Sequence, residues 1–432
     1  MSRSTRPLLI VVGGTDPAYR GYCVEQAAAA YPIALIDTKP PSWQQHLVVD
    51  HEVADTHDPA AVVAAGVALA ARNPIAGVVT WDEYALVPTA ELAARLGLPG
   101  NSVAAMTACR DKATSRRLFA KHDVPSAVST RVDTLDEATT AALRTGFPVV
   151  LKPSSHAGSI GVIRVDAPEL LPAAWEFAAA GAGEQGPEGG GVLVEEYLYG
   201  PEISVECVTQ HGITTALAVT RKEVAFPPYF QEVGHTVDTD DQLLPEVAPF
   251  AVQAVRALGV TDGVQHVEMR LTPSGPRIIE VNARIGGDLI GKLVRLATGL
   301  DLPRIAADVA CGRTPDLTPT AHATAAIKIL YAPATGILSA RSLAAVPGRE
   351  YPWLHQVTWL RDTGERVVLP PDGDFSTRPG RLRHRHRRSP RSSPGPALFP
   401  RHGSNHVGHN VNPPLPPMTP VAHSLPEQEL PR

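Results

Sequence analysis

Two carboxylates, an amide and an arginine lie close together in the chain, at Glu268, Glu280, Asn282 and Arg284. Alternation along a strand places the last three side chains on one face. Turn-forming residues between the two glutamates predict an antiparallel hairpin centred near Ser274, with Glu268 and Glu280 facing each other about 5 Å apart at Cβ. Such a set of oxygen ligands suits Mg²⁺, which usually carries a nucleotide. An ordinary exposed hairpin with solvated charges would show the same pattern.

A lysine and a loop of small residues occur upstream. An apolar run ends at Lys152, and residues 154–161 read Ser-Ser-His-Ala-Gly-Ser-Ile-Gly. Small residues let backbone N–H groups approach phosphate oxygens, and a lysine on the adjoining strand supplies a point charge. The glycine spacing and the Gly-Lys-Ser/Thr ending of a Walker loop are absent. A flexible hairpin with an incidental lysine is the alternative interpretation.

A third segment, residues 192–206, reads as a strand, a bend and a second strand. A purine ring would fit such a bend, where backbone groups contact its edge and a carboxylate accepts from its amino group. A mixed-charge strand pair at the edge of a sheet would give the same sequence.

Together, the order and spacing of these segments resemble the ATP-grasp superfamily. The resemblance is strongest to carboxylate-amine ligases similar to L-amino-acid (dipeptide) ligases, and biotin carboxylase is a more distant relative. It extends over about residues 7–379 and includes the two glycines after Arg284, at Gly286 and Gly287, where family members usually carry glycines.

The resemblance implies a nucleotide site for ATP. Lys112 and Lys152 would hold the phosphates under a mobile lid loop at residues 154–161. Glu195 and the backbone around Leu198 would bind adenine, and Glu202 would face the ribose. The complete predicted nucleotide set is Lys112, Lys152, Ser154, Ser155, His156, Gly158, Ser159, Glu195, Glu196, Leu198 and Glu202.

Further roles follow from the same resemblance. Glu268, Glu280 and Asn282 would hold Mg²⁺, while Arg284 and Lys152 would act on the reacting phosphoryl group. The amides at Gly286 and Gly287 open a helix-like run and would receive a substrate carboxylate. Arg221 and His235 are predicted to meet substrate carboxylates as well. Structural, hydrogen-bonded histidines are the alternative for His235 and His266.

The implied reaction needs no side-chain nucleophile. A carboxylate attacks the γ-phosphorus of ATP to give an acyl phosphate, and an amine then displaces phosphate to form an amide. Catalysis rests on aligning anions and neutralising charge, and the lid protects the acyl phosphate from water. The substrates would be a small-molecule carboxylate and an amine, both amino acids. The alternatives are a biotin-carboxylase-like carboxylation and a non-catalytic ATP-binding protein.

The predicted fold class is α/β and α+β, an ATP-grasp fold with an N-terminal Rossmann-like (pre-ATP-grasp) βαβ domain and a small C-terminal domain. A chain of 432 residues exceeds a single core. We expect domains at residues 1–106, 107–315 (with a lid at 123–198) and 316–380. Residues 81–83 follow a predicted strand, where they either touch substrate or begin a capped helix.

Composition indicates a reduced cytoplasmic protein. The four cysteines are scattered, and no apolar run approaches the ~20 residues that span a bilayer. Net charge is −5 overall, but it is +6 from residue 381 onward, which leaves −11 for residues 1–380. An acidic body makes nucleic acid an improbable partner. The family resemblance suggests a homodimer.

Residues 381–432 are predicted to form a disordered tail that is rich in arginine and proline. A basic interaction arm and a metal-binding histidine tract are two interpretations. A frameshift is the hypothesis we favour, because residues 381–387 can be encoded so that reading from the second base gives Gly-Tyr-Val-Ile-Ala-Thr-Gly. That peptide would be a strand of the kind that related ligases carry there.

Overall fold

Four β-sheets and ten α-helices make up the part of the chain that the structure describes. The structure is a computed structural model, and it describes residues 6–183, 190–342, 353–373, 378, 380–387 and 423–425. Among these residues, no helix combines the length and the apolar character that crossing a bilayer requires.

The N-terminal part is a parallel sheet in the order β3-β2-β1-β4, which confirms the predicted βαβ opening. Its strands are β1 (Leu8–Val12), β2 (Ile33–Asp37), β3 (Val48–Val53) and β4 (Ile75–Val79), and its helices are α1 (Gly21–Ala28), α2 (Pro59–Arg72) and α3 (Leu86–Leu96). Helix α2 begins where it does because the Asp58 carboxylate caps it and Pro59 supplies a fixed φ at the first position.

Two helices, α4 (Val103–Arg110) and α5 (Lys112–Lys121), lead into a second, antiparallel sheet in the order β5-β8-β6-β7. This sheet and its helices lie within the range predicted as the lid, residues 123–198, and are called the lid below. Its elements are β5 (Ser129–Val132), α6 (Leu135–Thr145), β6 (Val149–Pro153), β7 (Ile163–Val165), α7 (Leu171–Gly183) and β8 (Val192–Glu196). The lid has a core of its own, which includes Val149, Leu151 and Ala178.

A central sheet has eight strands in the order β13-β12-β9-β10-β11-β14-β18-β16. Five of its strands and three helices follow the lid in the chain. They are β9 (Glu202–Gln210), β10 (Ile213–Ala225), β11 (Gln231–Asp238), α8 (Leu244–Ala257), β12 (Gly263–Thr272), β13 (Gly275–Asn282), α9 (Ile290–Thr298) and α10 (Leu302–Ala310). Strands β12 and β13 form the predicted hairpin, and Glu268 pairs with Glu280 across it.

The remaining strands lie at the other edge of this sheet and in a small third sheet, β17-β15-β19. They are β14 (Ala323–Leu330), β15 (Gly336–Ala340), β16 (Leu354–Trp359), β17 (Arg366–Val367), β18 (Gly380–Arg387) and β19 (His423–Leu425). Strand β18 corrects the prediction of a wholly disordered tail, because its backbone pairs with β14 on one side and β16 on the other. The rest of that tail, 388–422 and 426–432, lies outside the described residues.

One hydrophobic core joins the N-terminal sheet to the central part. Leu9 of β1 and Leu35 of β2 belong to the same cluster as Leu293 of α9 and Ile305 of α10. The N-terminal part is therefore packed against the central sheet through a shared core.

Candidate active site

A cavity of about 680 Å³ opens between the lid, the β12–β13 hairpin and the loop after β1. Its wall unites segments far apart in the chain, from Asp16 to Arg378. The predicted site residues that line it are Lys112, Lys152, His156, Gly158, Ser159, Glu195, Glu196, Leu198, Glu202, Glu268, Glu280, Asn282, Arg284 and Gly287.

Five predicted site residues do not line this cavity. Ser154 and Ser155, the first two residues of the lid loop, are buried, and His235 is buried behind Glu232 and Asp288. Gly286 also lies behind the wall, where a Cβ would stand 2.7 Å from Nδ1 of His266, so the position requires glycine. Arg221 is about half exposed and pairs with Asp241 at 2.7 Å, so the structure does not bring it to the cavity.

Glu195 organises the cations at one side of the cavity. One of its oxygens lies 2.7 Å from Nε of Arg116, and the other lies 2.6 Å from Nζ of Lys152. Burial alone would raise the pKa of Glu195, but the charges of Arg116 and Lys152 lower it to about 2. Burial in turn lowers the pKa of Lys152. With each oxygen paired to a cation, the Glu195 side chain positions Lys152 and Arg116, and its predicted contact with adenine stays a prediction.

Tyrosine and phenylalanine rings mark the end of the cavity toward the bend at residues 197–201. Tyr197 and Phe230 are stacked with centroids 6.2 Å apart, and Leu198 lies beside them in the wall. Glu202 pairs with Arg270 at 2.9 Å at the same end. This end has the apolar, flat surfaces that a purine ring requires.

The paired carboxylates of the hairpin are each held by cations of the protein. Glu268 lies 3.0 Å from Nζ of Lys222 and 3.0 Å from Nε2 of His266, and Glu280 lies 3.0 Å from Nζ of Lys112. Burial would raise the pKa of Glu268, but Lys222 and His266 hold it well below its ordinary value. Glu268 is thus kept ionised, and both carboxylates lie beside cationic groups in the cavity wall. This arrangement of oxygen ligands fits a site for Mg²⁺.

Lys222 is a site residue that the sequence prediction missed in favour of its neighbour Arg221. Its side chain is 1% exposed and lies within 3.7 Å of three carboxylates, those of Glu202, Glu232 and Glu268. Adjacent residues of a strand face opposite sides, so only one of the two could meet these carboxylates. Alternation alone does not say which one, because the register with β11 decides it.

Arg284 is fixed from three directions. Its Nε lies 2.6 Å from a carboxylate oxygen of Glu83, and it donates to Oδ1 of Asn282 and to the carbonyl of Ile285. Glu83 also pairs with Arg110 at 3.1 Å. The segment at residues 81–83 therefore reaches the site through Glu83, beneath the cavity wall.

The lid loop is docked on the rest of the site. The Ser154 carbonyl accepts from the backbone N–H of Lys112 at 2.9 Å, and the Ser155 carbonyl accepts from Arg110 at 3.1 Å. The Tyr84 hydroxyl lies 2.9 Å from Nδ1 of His156. The loop is thereby closed over the lysines that were predicted to bind phosphate.

Comparison with known proteins gives the same picture of the chain. A family model described as an ATP-grasp domain matches residues 145–292, and one described as an ATP-grasp N-terminal domain matches residues 33–100. The chain is 32% identical over 256 residues to carnosine synthase 1 of Homo sapiens. The matched region is 55% of this chain and 31% of that protein. It is 29% identical over 261 residues to alanine–anticapsin ligase of Bacillus subtilis, covering 56% of this chain and 55% of that one.

The chain thus spans about a third and about half of these two relatives. A crystal structure of L-amino acid ligase from Bacillus licheniformis has a similar fold, with a TM-score of 0.73 at 22% identity, over 89% of this chain and 95% of that one.

Proposed function

Because the chain belongs to the ATP-grasp superfamily, we propose that it is an ATP-dependent ligase that joins a carboxylate to an amine, with amino acids as both substrates. The observation that carries the proposal is one cavity whose wall holds Lys112, Lys152 and Arg284 together with Glu268 and Glu280. A triphosphate and a carboxylate are both anions, so their alignment requires cations of this kind.

Each group has a role in this reaction. Lys112 and Lys152 bind the phosphates, and Arg284 orients the reacting carboxylate and neutralises charge as it attacks the γ-phosphorus. Glu268, Glu280 and Asn282 would hold Mg²⁺, which when bound neutralises phosphate charge. An amine then displaces phosphate from the acyl phosphate. The lid loop excludes water, which would otherwise hydrolyse that intermediate.

The names of the similar proteins support the reaction type. One is a synthase and another a ligase, and the chain matches only part of each. The protein with the similar fold is an L-amino acid ligase. A homodimer, which light scattering would measure, and a cytoplasmic location are further parts of the proposal.

The test is release of ADP and phosphate with Mg²⁺ and ATP across single and paired L-amino acids, with bicarbonate included to detect carboxylation. We expect release with particular amino acid pairs, accompanied by a dipeptide in the mass spectrum. Arg284→Ala should abolish product formation while ATP binding is retained. ATP binding without turnover on any pair would favour the non-catalytic alternative.

A further inference from the structure

The segment after β4 is held rigidly by the N-terminal sheet. The Thr80 hydroxyl donates to the carbonyl of Val12 at 2.7 Å and accepts from the Asp82 N–H at 2.9 Å. Oδ1 of Asp82 in turn accepts from the Tyr84 N–H at 3.0 Å, and the Trp81 side chain is fully buried. Residues 80–84 therefore form a fixed turn, and Glu83 projects from it toward the central part of the molecule.

Glu83 divides its two oxygens between two arginines. Oε1 lies 3.1 Å from Nη1 of Arg110, and Oε2 lies 2.6 Å from Nε of Arg284. All three side chains are at most 10% exposed. Burial alone would raise the pKa of Glu83, but the charges of Arg284 and Arg110 outweigh burial and lower it. Glu83 is therefore an anion shared by two cations in a poorly solvated place, where charges interact strongly.

The two arginines lead to different parts of the site. Arg284 lies in the cavity wall, whereas Arg110 donates to the Ser155 carbonyl of the lid loop at 3.1 Å. The Arg110 guanidinium also stacks 4.6 Å from the ring of Tyr84, whose hydroxyl contacts His156 of the same loop. The Glu83 carboxylate thus lies between Arg284, which is proposed to act in the reaction, and the contacts that hold the lid loop closed.

We propose that Glu83 is a positioning residue that couples lid closure to the placement of Arg284. The inference rests on the proposed function and deepens it. If the lid opens, Arg110 loses the Ser155 carbonyl as an acceptor. The Arg110 guanidinium can then shift, and the positions of Glu83 and of Arg284, which pairs with Glu83, shift with it. A closed lid and an aligned Arg284 then occur together, so that the acyl phosphate forms only where water is excluded.

The test compares Glu83→Gln with Asp308→Asn, a matched control. Asp308 is also a buried carboxylate that pairs with an arginine, Arg304, and contacts Tyr31 of the N-terminal part, but it does not line the cavity. With a substrate pair found for the wild type, the readout is amide formed per ADP released. We expect Glu83→Gln to lower this ratio by roughly a factor of ten, because ATP is spent on hydrolysis. We expect Asp308→Asn to leave it unchanged even if its melting temperature falls.

Hydrogen exchange of the lid loop gives a second readout that needs no turnover. In Glu83→Gln, amides of residues 154–161 should exchange faster than in the wild type, while those of β1 keep their rates. An unchanged product ratio together with unchanged lid exchange would overturn the proposal. If the wild type joins no amino acids, the proposed function fails, and lid exchange alone then decides the coupling through Glu83.

Discussion

Ionisation of Glu195 makes the free energy of unfolding depend on pH in the acid range. Its pKa is about 2 in the folded protein, against an ordinary value of 4.5, so its contribution is present above pH 4.5 and is lost as pH falls toward 2. By linkage this amounts to about 3 kcal/mol at neutral pH. We expect Glu195→Gln to flatten the fall in unfolding free energy between pH 4.5 and 2.5, as measured by urea unfolding. Glu246→Gln, on an exposed helix position, should keep the wild-type slope.

Lys222 neutralises three carboxylates, and its loss should be costly. Lys222→Met would leave Glu202, Glu232 and Glu268 facing one another without this ammonium group, which we expect to destabilise the fold by about 3–5 kcal/mol. Lys328→Met is the control, since Lys328 is about one-third exposed and pairs with Glu223 at 2.7 Å. Its cost should stay below about 1 kcal/mol in the same denaturant titration. Equal losses in the two variants would contradict the role given to Lys222.

Spacing alone could place those site residues whose neighbours in the site lie nearby in the chain, whereas Lys112 and Lys152, whose partners are distant, were found only through the family resemblance. Glu268, Glu280 and Arg284 are set by one hairpin, so alternation and a turn were enough to place them. Arg116 and Lys222 were missed because each meets its partner across a domain or between strands distant in sequence. Residues 81–83 were singled out, but the pairing of Glu83 with Arg110 and Arg284 was not foreseen. Local patterns carry no information about such pairings.

Among the strands, β18 carries two arginine side chains at buried positions. Arg381 and Arg383 are 4% and 3% exposed, and within the described part of the chain no acceptor reaches their Nε and Nη1 atoms. Burial and the charge of Arg381 lower the pKa of Arg383 to about 10. The backbone ladder of β18 is satisfied by β14 and β16, so the strand forms despite an unfavourable sequence.

Replacement of these arginines should stabilise the protein. We expect Arg383→Val to raise the unfolding free energy by about 1–4 kcal/mol, because an apolar side chain removes the cost of burying a charge that no carboxylate of the described residues pairs with. The measurements are melting temperature and urea midpoint. Arg256→Val, on an exposed helix position, should have little effect. A lower melting temperature for Arg383→Val would show that the guanidinium is needed.

The frameshift hypothesis also predicts uncharged residues at positions 381 and 383. Its alternative peptide, Gly-Tyr-Val-Ile-Ala-Thr-Gly, would place glycine at the position of Arg381 and valine at that of Arg383. Exchanging residues 381–387 for this peptide should therefore raise the melting temperature further than the single change. Resequencing the gene, with the mass of the purified protein, would decide whether the tail as written is real. An intact frame and a mass that includes the tail would refute the frameshift.

For the whole molecule, the shared core predicts which parts unfold together. Leu9 and Leu35 belong to one cluster with Leu293 and Ile305, whereas the lid core is separate. We expect β1 and α9 to exchange amide hydrogens with one opening free energy, and lid residues 129–183 and 190–196 to open at a lower one. A fragment of residues 1–102 should not fold, because it exposes the ten buried members of that cluster that it contains. Exchange of β1 well ahead of α9 would contradict this.

The closed lid loop also has a consequence for the pace of turnover. The contacts at Ser154, Ser155 and His156 are made with the protein itself, so they favour closure whether or not the cavity is filled. If the chain turns over ATP as proposed, the product nucleotide can leave only after these contacts break. We then expect lid opening, rather than bond formation, to limit the rate of turnover.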